Sequence, residues 1–490
     1  MRNKEIGGYL EIESCLGKSD IFHRNLIHLN TGRNCLAYLI KALDIKKVYL
    51  PYYLCESVLK LCQREGCKYE FYNIDYNFLP IFEKTLQEKE YLYIVNYYGF
   101  LSNGLIQEYK SKHKNIIVDN VQAFYQEPVK NVPTIYSCRK WFGMPDGAFL
   151  YSPVSLEINA TDDSSNRFSH LFGRKKDGAT AHYGEFKAND KSFVDLPLMN
   201  MSKQTSDLFK QIDFKKAAQI RKCNYEFLRK LLNAFNPIDY DCSSVPFCYP
   251  FYVKDGMNIK KVLAERQIYI PSYWPNVFEE EKIERDFTDN VLPLPCDQRY
   301  SLNDMKSIIE ELNEICHLNE PKFITKRLKV FELNYSFLSV VNKWHNDDQL
   351  YKTLVGDIFH PSLEDERKWI TNYLLNNDKH FRGVIVDNDN NPIGSIYLLN
   401  ISPEKSFCNI AVFIADKQNR GLGYGQEVFS SAIDFAHKKY GIQTIELKVL
   451  ANNTSAYNLY VKNGFHTISE EEKNKDGKLV KVLVMRTTIK

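Results

Sequence analysis

Two glycines in the run Gln418-Asn419-Arg420-Gly421-Leu422-Gly423 separate a strand-like apolar stretch, residues 406–415, from an amphipathic helical pattern. Val428, Ala432, Phe435 and Ala436 recur in that pattern at helical spacing, and Gly441 stands where such a helix would stop. Strand, glycine loop, helix is a restrictive order. The strand end and the helix start aim the loop's main-chain N–H groups at one spot. That spot suits an anion such as a pyrophosphate, and the small residues let it approach the main chain closely.

The residues that follow narrow the reading. A strand is expected at residues 444–449. After it comes Asn452-Asn-Thr-Ser-Ala456-Tyr-Asn-Leu-Tyr460-Val-Lys-Asn-Gly464-Phe465. Ala456, Leu459 and Tyr460 share one side of a short helix, with Thr454 or Ser455 as its expected cap and Gly464 as its end. Together the Q-x-x-G-x-G loop and the N-x-x-x-A-x-x-x-Y-x-K-x-G-F run resemble the GNAT N-acetyltransferases, in particular the branch that includes ribosomal-protein and amino-sugar acetyltransferases. The resemblance runs from Arg327 to about Lys490. It implies an α+β domain that takes acetyl-CoA. Gln418, Asn419, Arg420, Gly421, Leu422, Gly423 and Tyr424 would hold the CoA pyrophosphate. Main-chain groups of Phe413 and Ile414 would pair with the pantetheine arm, and Asn452 would also contact CoA. Tyr460 would protonate the departing thiolate; a phenol of pKa near 10 is a reasonable acid for a thiol of pKa near 8.5. Trp369 fits the helix that lines the acceptor side in that branch. Many relatives carry a carboxylate or histidine as base on the strand before the loop. Here Cys408 and Asn409 occupy that region, and the base stays unassigned.

Residues 21–320 read differently. Short β-rich runs at residues 47–51, 68–75, 91–96, 115–119 and 134–137 alternate with helical patterns, such as residues 56–65. That alternation implies βαβ units and a mostly parallel sheet. The pattern turns helical over residues 214–232 and again over 302–316. A polar, proline-containing segment, His317-Leu-Asn-Glu-Pro-Lys-Phe, is where one domain (1–320) should give way to the next (325–490). At 490 residues the chain suits two or three domains.

Four features of this longer part carry chemistry. Asp119 ends a strand and is followed by Gln122; Ser137 precedes Lys140. Leu29-Asn-Thr31-Gly32-Arg33-Asn34 leads into a helical stretch, and Tyr53 follows a strand. A lysine can bind an aldehyde covalently, and a buried carboxylate can pair with a protonated pyridine nitrogen. A glycine turn at a helix start can take a phosphate, and an aromatic ring can stack on a heterocycle. In chain order, glycine turn, Tyr53 after a strand, Asp119-x-x-Gln122, then Ser137-x-x-Lys140, the set resembles the fold-type I pyridoxal 5'-phosphate enzymes, most nearly the DegT-type nucleotide-sugar aminotransferases, over residues 20–316. The resemblance implies a PLP-transferase-like α/β/α sandwich with a small C-terminal segment. Lys140 would bind the cofactor, Asp119 its ring nitrogen, and Gln122 would lie near its 3-hydroxyl. Thr31, Gly32, Arg33, Asn34 and Ser137 would hold its phosphate, and Tyr53 would stack on its ring. It also implies a homodimer. Ser137 and Lys140 are closer than those enzymes usually space them. Their Gly-aromatic-Asn run after the lysine has only His182-Tyr183-Gly184 as a counterpart. With both halves working, a keto sugar nucleotide would be aminated and then N-acetylated for a surface glycan. The alternative is an acetyltransferase for another amine, a protein N-terminus or a small molecule, carried beside a non-catalytic scaffold.

Composition excludes other classes. With 64 basic and 61 acidic residues the net charge is +3, too even for a nucleic-acid binder. The 12 cysteines include no C-x-x-C pair, so no metal site is expected, and they suit a reducing compartment. No run approaches the roughly 18 apolar residues of a membrane helix, and glutamates interrupt the N-terminal stretch. The expected location is cytoplasmic.

Overall fold

The computed structural model describes residues 5–17, 22–23, 25–238, 244–278 and 280–489. The chain divides into two compact units. One comprises Met1–Leu232 and Ile238–Cys316, the other Asn233–Pro237 and His317–Lys490. Among the described residues no helix is long and apolar enough to cross a membrane.

The first unit is built on a mixed sheet of β1 (Ile27–Leu29), β2 (Lys47–Pro51), β3 (Lys68–Ile74), β4 (Pro80–Ile81), β5 (Glu90–Val95), β6 (Ile116–Asp119), β7 (Thr134–Ser137) and β8 (Ala148–Tyr151). Their spatial order is β1-β8-β7-β6-β5-β2-β3-β4. From β7 across to β3 every neighbouring pair is parallel, while β8 runs antiparallel to both β7 and β1. The apolar runs are this parallel core: Val48, Leu50, Leu92, Ile94, Ile116, Ile117 and Val118 are all buried. Such strands are covered on both faces, which is why they lack polar alternation. Helix α1 (Gly32–Ala42) packs on the sheet after β1. Thr31 caps it, its side chain accepting the Asn34 N–H at 3.1 Å.

The second unit carries β9 (Phe323–Ile324), β10 (Leu328–Glu332), β11 (Phe381–Asp387), β12 (Pro392–Ser402), β13 (Phe407–Ile414), β14 (Thr444–Leu450), β15 (His466–Lys475) and β16 (Lys478–Thr488), in the order β9-β10-β11-β12-β13-β14-β16-β15. Helices α2 (Leu338–His345) and α3 (Leu363–Leu375) lie between β10 and β11 in the chain. Helix α4 (Tyr424–Tyr440) follows the glycine loop, and α5 (Thr454–Lys462) follows β14. Helix α4 buries Val428, Phe429, Ala432 and Ala436 in the core with Ile396, Leu398, Ile410 and Ile445. Burying a side chain the size of Phe429 contributes about 1.5–3 kcal/mol. Phe435 is half-buried and packs on Phe323 and Phe381. Gly441 ends α4 at φ 68°, a left-handed conformation that suits glycine.

The pairing of β13 decides what this unit can hold. Against β12 it pairs from Phe407 to Ile414. Against β14 it is parallel and pairs only at Phe407, Cys408 and Asn409. Beyond Asn409 the two strands part, although β14 continues to pair with β16 as far as Leu450. A wedge therefore opens between residues 410–414 and 447–450, and the β13 main-chain groups that face it have no sheet partner.

Candidate acyl-transfer site and the cavity at Lys140

At the end of that wedge the chain enters the glycine loop. Gly421 and Gly423 adopt φ 76° and 85°, a region that a β-carbon disfavours. These two turns direct the chain into α4. The N–H groups of Gly421, Leu422, Gly423 and Tyr424 have no acceptor among the described residues. They stand at the positive end of a 17-residue helix, the geometry that holds phosphate oxygens. The Arg420 side chain makes contacts within the loop's own base. Its Nε donates to the Ile414 carbonyl at 2.9 Å and its Nη2 to the Ala415 carbonyl at 2.7 Å. The guanidinium thus ties the loop back to β13, and the Ile414 carbonyl is already engaged. Gln418 and Leu422 are exposed.

Sequence reasoning missed Arg327. Its Nε meets Glu427 at 2.8 Å, its Nη1 donates to the Leu422 carbonyl at 3.1 Å, and its guanidinium lies 4.5 Å from the centre of the Tyr424 ring. The partners lie about a hundred residues away along the chain, so no local pattern marks the pair. Arg327 braces the loop and adds positive charge where the free amides converge.

Tyr460 sits on α5, 6% exposed, against Phe429 and Phe465. No hydrogen bond to its hydroxyl occurs among the described residues, and burial pushes the phenol up to about 12. Asn452 is exposed in the turn after β14. The α5 cap is Asn453, not Thr454 or Ser455: its side chain accepts the Ala456 N–H at 3.1 Å and donates to the Thr353 carbonyl at 3.0 Å. That second bond, to a distant segment, selects among residues of similar capping strength.

The first unit brings its expected residues to the ends of β6 and β7. Asp119 accepts the Tyr93 hydroxyl at 2.7 Å and the Val121 N–H at 2.9 Å. Burial raises its pKa, while those two donors and the charge of Lys140 lower it. Lys140 is exposed on the wall of a cavity of about 630 Å³ and makes no hydrogen bond or ion pair among the described residues. Ser137 is buried at the end of β7. Gln122 is buried, and its Oε1 accepts the Tyr98 N–H at 2.8 Å. A β-carbon on Gly32 would touch Val121 and Ile135, so the start of α1 lies over the ends of these same strands. The Gly32 and Arg33 N–H groups have no acceptor among the described residues, and Arg33 Nη1 is buried without a partner.

Two of the expected residues have other partners. Tyr53 is 1% exposed and enclosed by Trp274, Tyr97 and Phe287. Trp274, far along the chain, stands nearly perpendicular to this ring with centroids 4.4 Å apart. The Asn34 amide donates to Asn30, Leu196 and Pro197 and its oxygen accepts from Arg64. That side chain joins two segments of the fold and has nothing left for a phosphate.

The second unit thus holds a wedge of unpaired main chain, free amides at a helix start at its end, and a buried phenol. Residues 335–466 match the model of the family described as Acetyltransferase (GNAT) domain, and the second unit is an acetyltransferase domain of that type. Among solved structures, a spermidine N-acetyltransferase from Vibrio cholerae in complex with CoA and spermine is 18% identical, covering 33% of this chain and 95% of that one, with a TM-score of 0.31. A ribosomal L7/L12 alpha-N-protein acetyltransferase in complex with Coenzyme A is 15% identical, covering 35% of this chain and 98% of that one, with a TM-score of 0.32. No curated relative matches the chain.

Proposed function

We propose that the second unit moves an acetyl group from acetyl-CoA to a primary amine, and that the first unit makes that amine on a keto sugar nucleotide with pyridoxal 5'-phosphate. The parting of β13 from β14 into the free amides of residues 421–424 carries the first half of the reading. It offers a thioester's extended arm unpaired main-chain groups along its length and a positive helix start for its pyrophosphate. Tyr460 stands ready to donate a hydrogen bond to the sulfur as the C–S bond breaks.

The unpartnered Lys140 amine supports the second half, with Asp119 held by Tyr93 and α1 starting over the same strand ends. When bound, the cofactor would serve as an electron sink for amino transfer. Lys140 would hold it, Asp119 would pair with its ring nitrogen, and Gln122 would lie near its 3-hydroxyl. The Gly32 and Arg33 amides, Thr31 and Ser137 would meet its phosphate. The enclosed Tyr53 favours a second reading, in which the first unit is a non-catalytic scaffold and the acetyltransferase takes another amine.

Protein incubated with a 4-keto-6-deoxy sugar nucleotide, glutamate and acetyl-CoA should gain the mass of an amine and then of an acetyl group. Protein mixed with the cofactor should show a violet-edge absorbance band that Lys140→Ala abolishes. A colourless wild type that still acetylates peptides or small amines would select the scaffold reading. A wild type that acetylates no amine would overturn the first half as well. The fold-type I reading carries a homodimer with it, and sedimentation as a monomer would count against it. The reading also places the protein in the cytoplasm.

A further inference from the structure

A cavity of about 490 Å³ opens beside α2 and α3, on the side of β13 away from β14, and the transfer chemistry above does not use it. Its most unusual wall group is Glu366, in the first turn of α3. Glu366 is only 2% exposed. One carboxylate oxygen, Oε2, is held by His345 Nδ1 at 2.8 Å. The other, Oε1, is buried and has no hydrogen-bond partner. A buried carboxylate oxygen without a donor is unfavourable. Much of the remaining wall is aromatic, with Trp369, Phe359, Tyr351 and Tyr397, beside Asp365 and His360. An ammonium or amine suits both surfaces, since its N–H groups satisfy the oxygen and its chain packs on the rings.

The cavity also abuts the strand that lines the thioester wedge. Tyr397, on its wall, meets the Phe413 ring at 6.3 Å, and Trp344 of α2 meets the same ring at 5.8 Å. Phe413 of β13 thus packs directly behind one wall residue of the cavity. A guanidinium completes the wall: Arg382 lies 4.6 Å from the Trp369 ring centre and 5.0 Å from that of Tyr397. It gives the acceptor's second polar group, a phosphate or carboxylate, a cation to meet.

We propose that Glu366 is the group that receives the acceptor amine and takes its proton, and that the acceptor is a primary amine carrying an anionic group within reach of Arg382. The proposal rests on the acetyltransferase reading above and supplies the base that neither Cys408 nor Asn409 can be. The amine nitrogen attacks the thioester carbonyl, so a C–N bond forms and the C–S bond breaks. The nitrogen's surplus proton passes to Glu366 Oε1. The leaving thiolate accepts a hydrogen bond from Tyr460 and takes its proton from solvent, and Glu366 gives its proton back to solvent after release.

The test uses the full chain, acetyl-CoA and three acceptors: spermidine, a peptide with a free N-terminus, and a 4-amino-4,6-dideoxy sugar nucleotide. Glu366→Gln should lower kcat/KM for the best acceptor by about 100-fold or more, with acetyl-CoA binding by calorimetry unchanged. Equal activity of variant and wild type overturns the assignment. A wild type that binds acetyl-CoA and acetylates none of the three instead overturns the acetyltransferase reading, and this proposal with it. If Glu366→Gln does not bind acetyl-CoA, Glu366→Asp decides. Withdrawing the carboxylate by one methylene should cost about 10-fold or more in kcat/KM with binding intact, and no loss overturns the proposal.

Discussion

Replacing Tyr460 by phenylalanine removes one oxygen from a ring that is otherwise packed on Phe429 and Phe465. The hydroxyl has no partner among the described residues, so its loss orphans no buried donor or acceptor. Stability should hold to within about 0.5 kcal/mol. The catalytic effect follows from the phenol's pKa, raised by burial to about 12. A thiol of pKa near 8.5 is the stronger acid by about 3.5 units, so completed proton transfer from Tyr460 to a thiolate is uphill by roughly 5 kcal/mol. Burial therefore makes Tyr460 a poorer acid than its sequence context implies. It leaves a hydrogen bond to the developing charge on sulfur as the favourable interaction, and such bonds contribute about 1.5–3 kcal/mol. The variant's kcat should fall by about 10- to 150-fold, with acetyl-CoA binding unchanged. The assay is release of free CoA thiol, followed with a thiol reagent at saturating amine. Because the folded pKa lies above the ordinary value near 10, the phenol stays protonated throughout pH 7–10, and the ratio of wild type to variant should be flat there. Between pH 10 and 12 the unfolded chain ionises this group and the native one does not, so its contribution to stability declines only in that window. A kcat within about twofold of wild type would refute the reasoning, and so would a ratio that collapses below pH 10.

Further outcomes test the loop. Gly423→Ala places a β-carbon at φ 85° and 3.4 Å from Arg327 Nη2; it should cost about 1–2 kcal/mol, read as a lower Tm and a KM for acetyl-CoA raised by about 5-fold or more. Arg327→Gln removes the half-exposed pair with Glu427 and the bond to the Leu422 carbonyl. It should raise the KM for acetyl-CoA by about 3- to 10-fold with kcat little changed, and titration calorimetry with CoA should show the same loss.

The parallel core of the first unit was legible because strands covered on both faces must be apolar throughout, as Ile116, Ile117 and Val118 are. The glycine loop was legible because a positive φ at Gly421 and Gly423 restricts the residue type directly. Features set by distant partners were not. Tyr53 follows a strand as an exposed ring would, and Tyr97, Trp274 and Phe287 close it in. Asn453, Thr454 and Ser455 cap helices about equally well, and the bond from Asn453 to Thr353 makes the choice. Glu366 reads as an ordinary acidic residue in a helix's first turn, among Glu364 and Asp365. Its place three residues before Trp369, on the same face, was the available signal. It gains meaning only through His345, which the fold brings from another helix.

The wedge between β13 and β14 is made of main chain, and the amides beyond it belong to a loop whose side chains point elsewhere or are absent. No substitution along residues 410–414 deletes an N–H or a carbonyl, proline excepted. The donor side of this unit is thereby buffered against ordinary mutation. The space beyond Phe413 is bounded by side chains, Glu366, Arg382 and Tyr397 among them, each replaceable singly. A domain assembled in this way can change the amine it serves in small steps while the thioester it draws on stays the same.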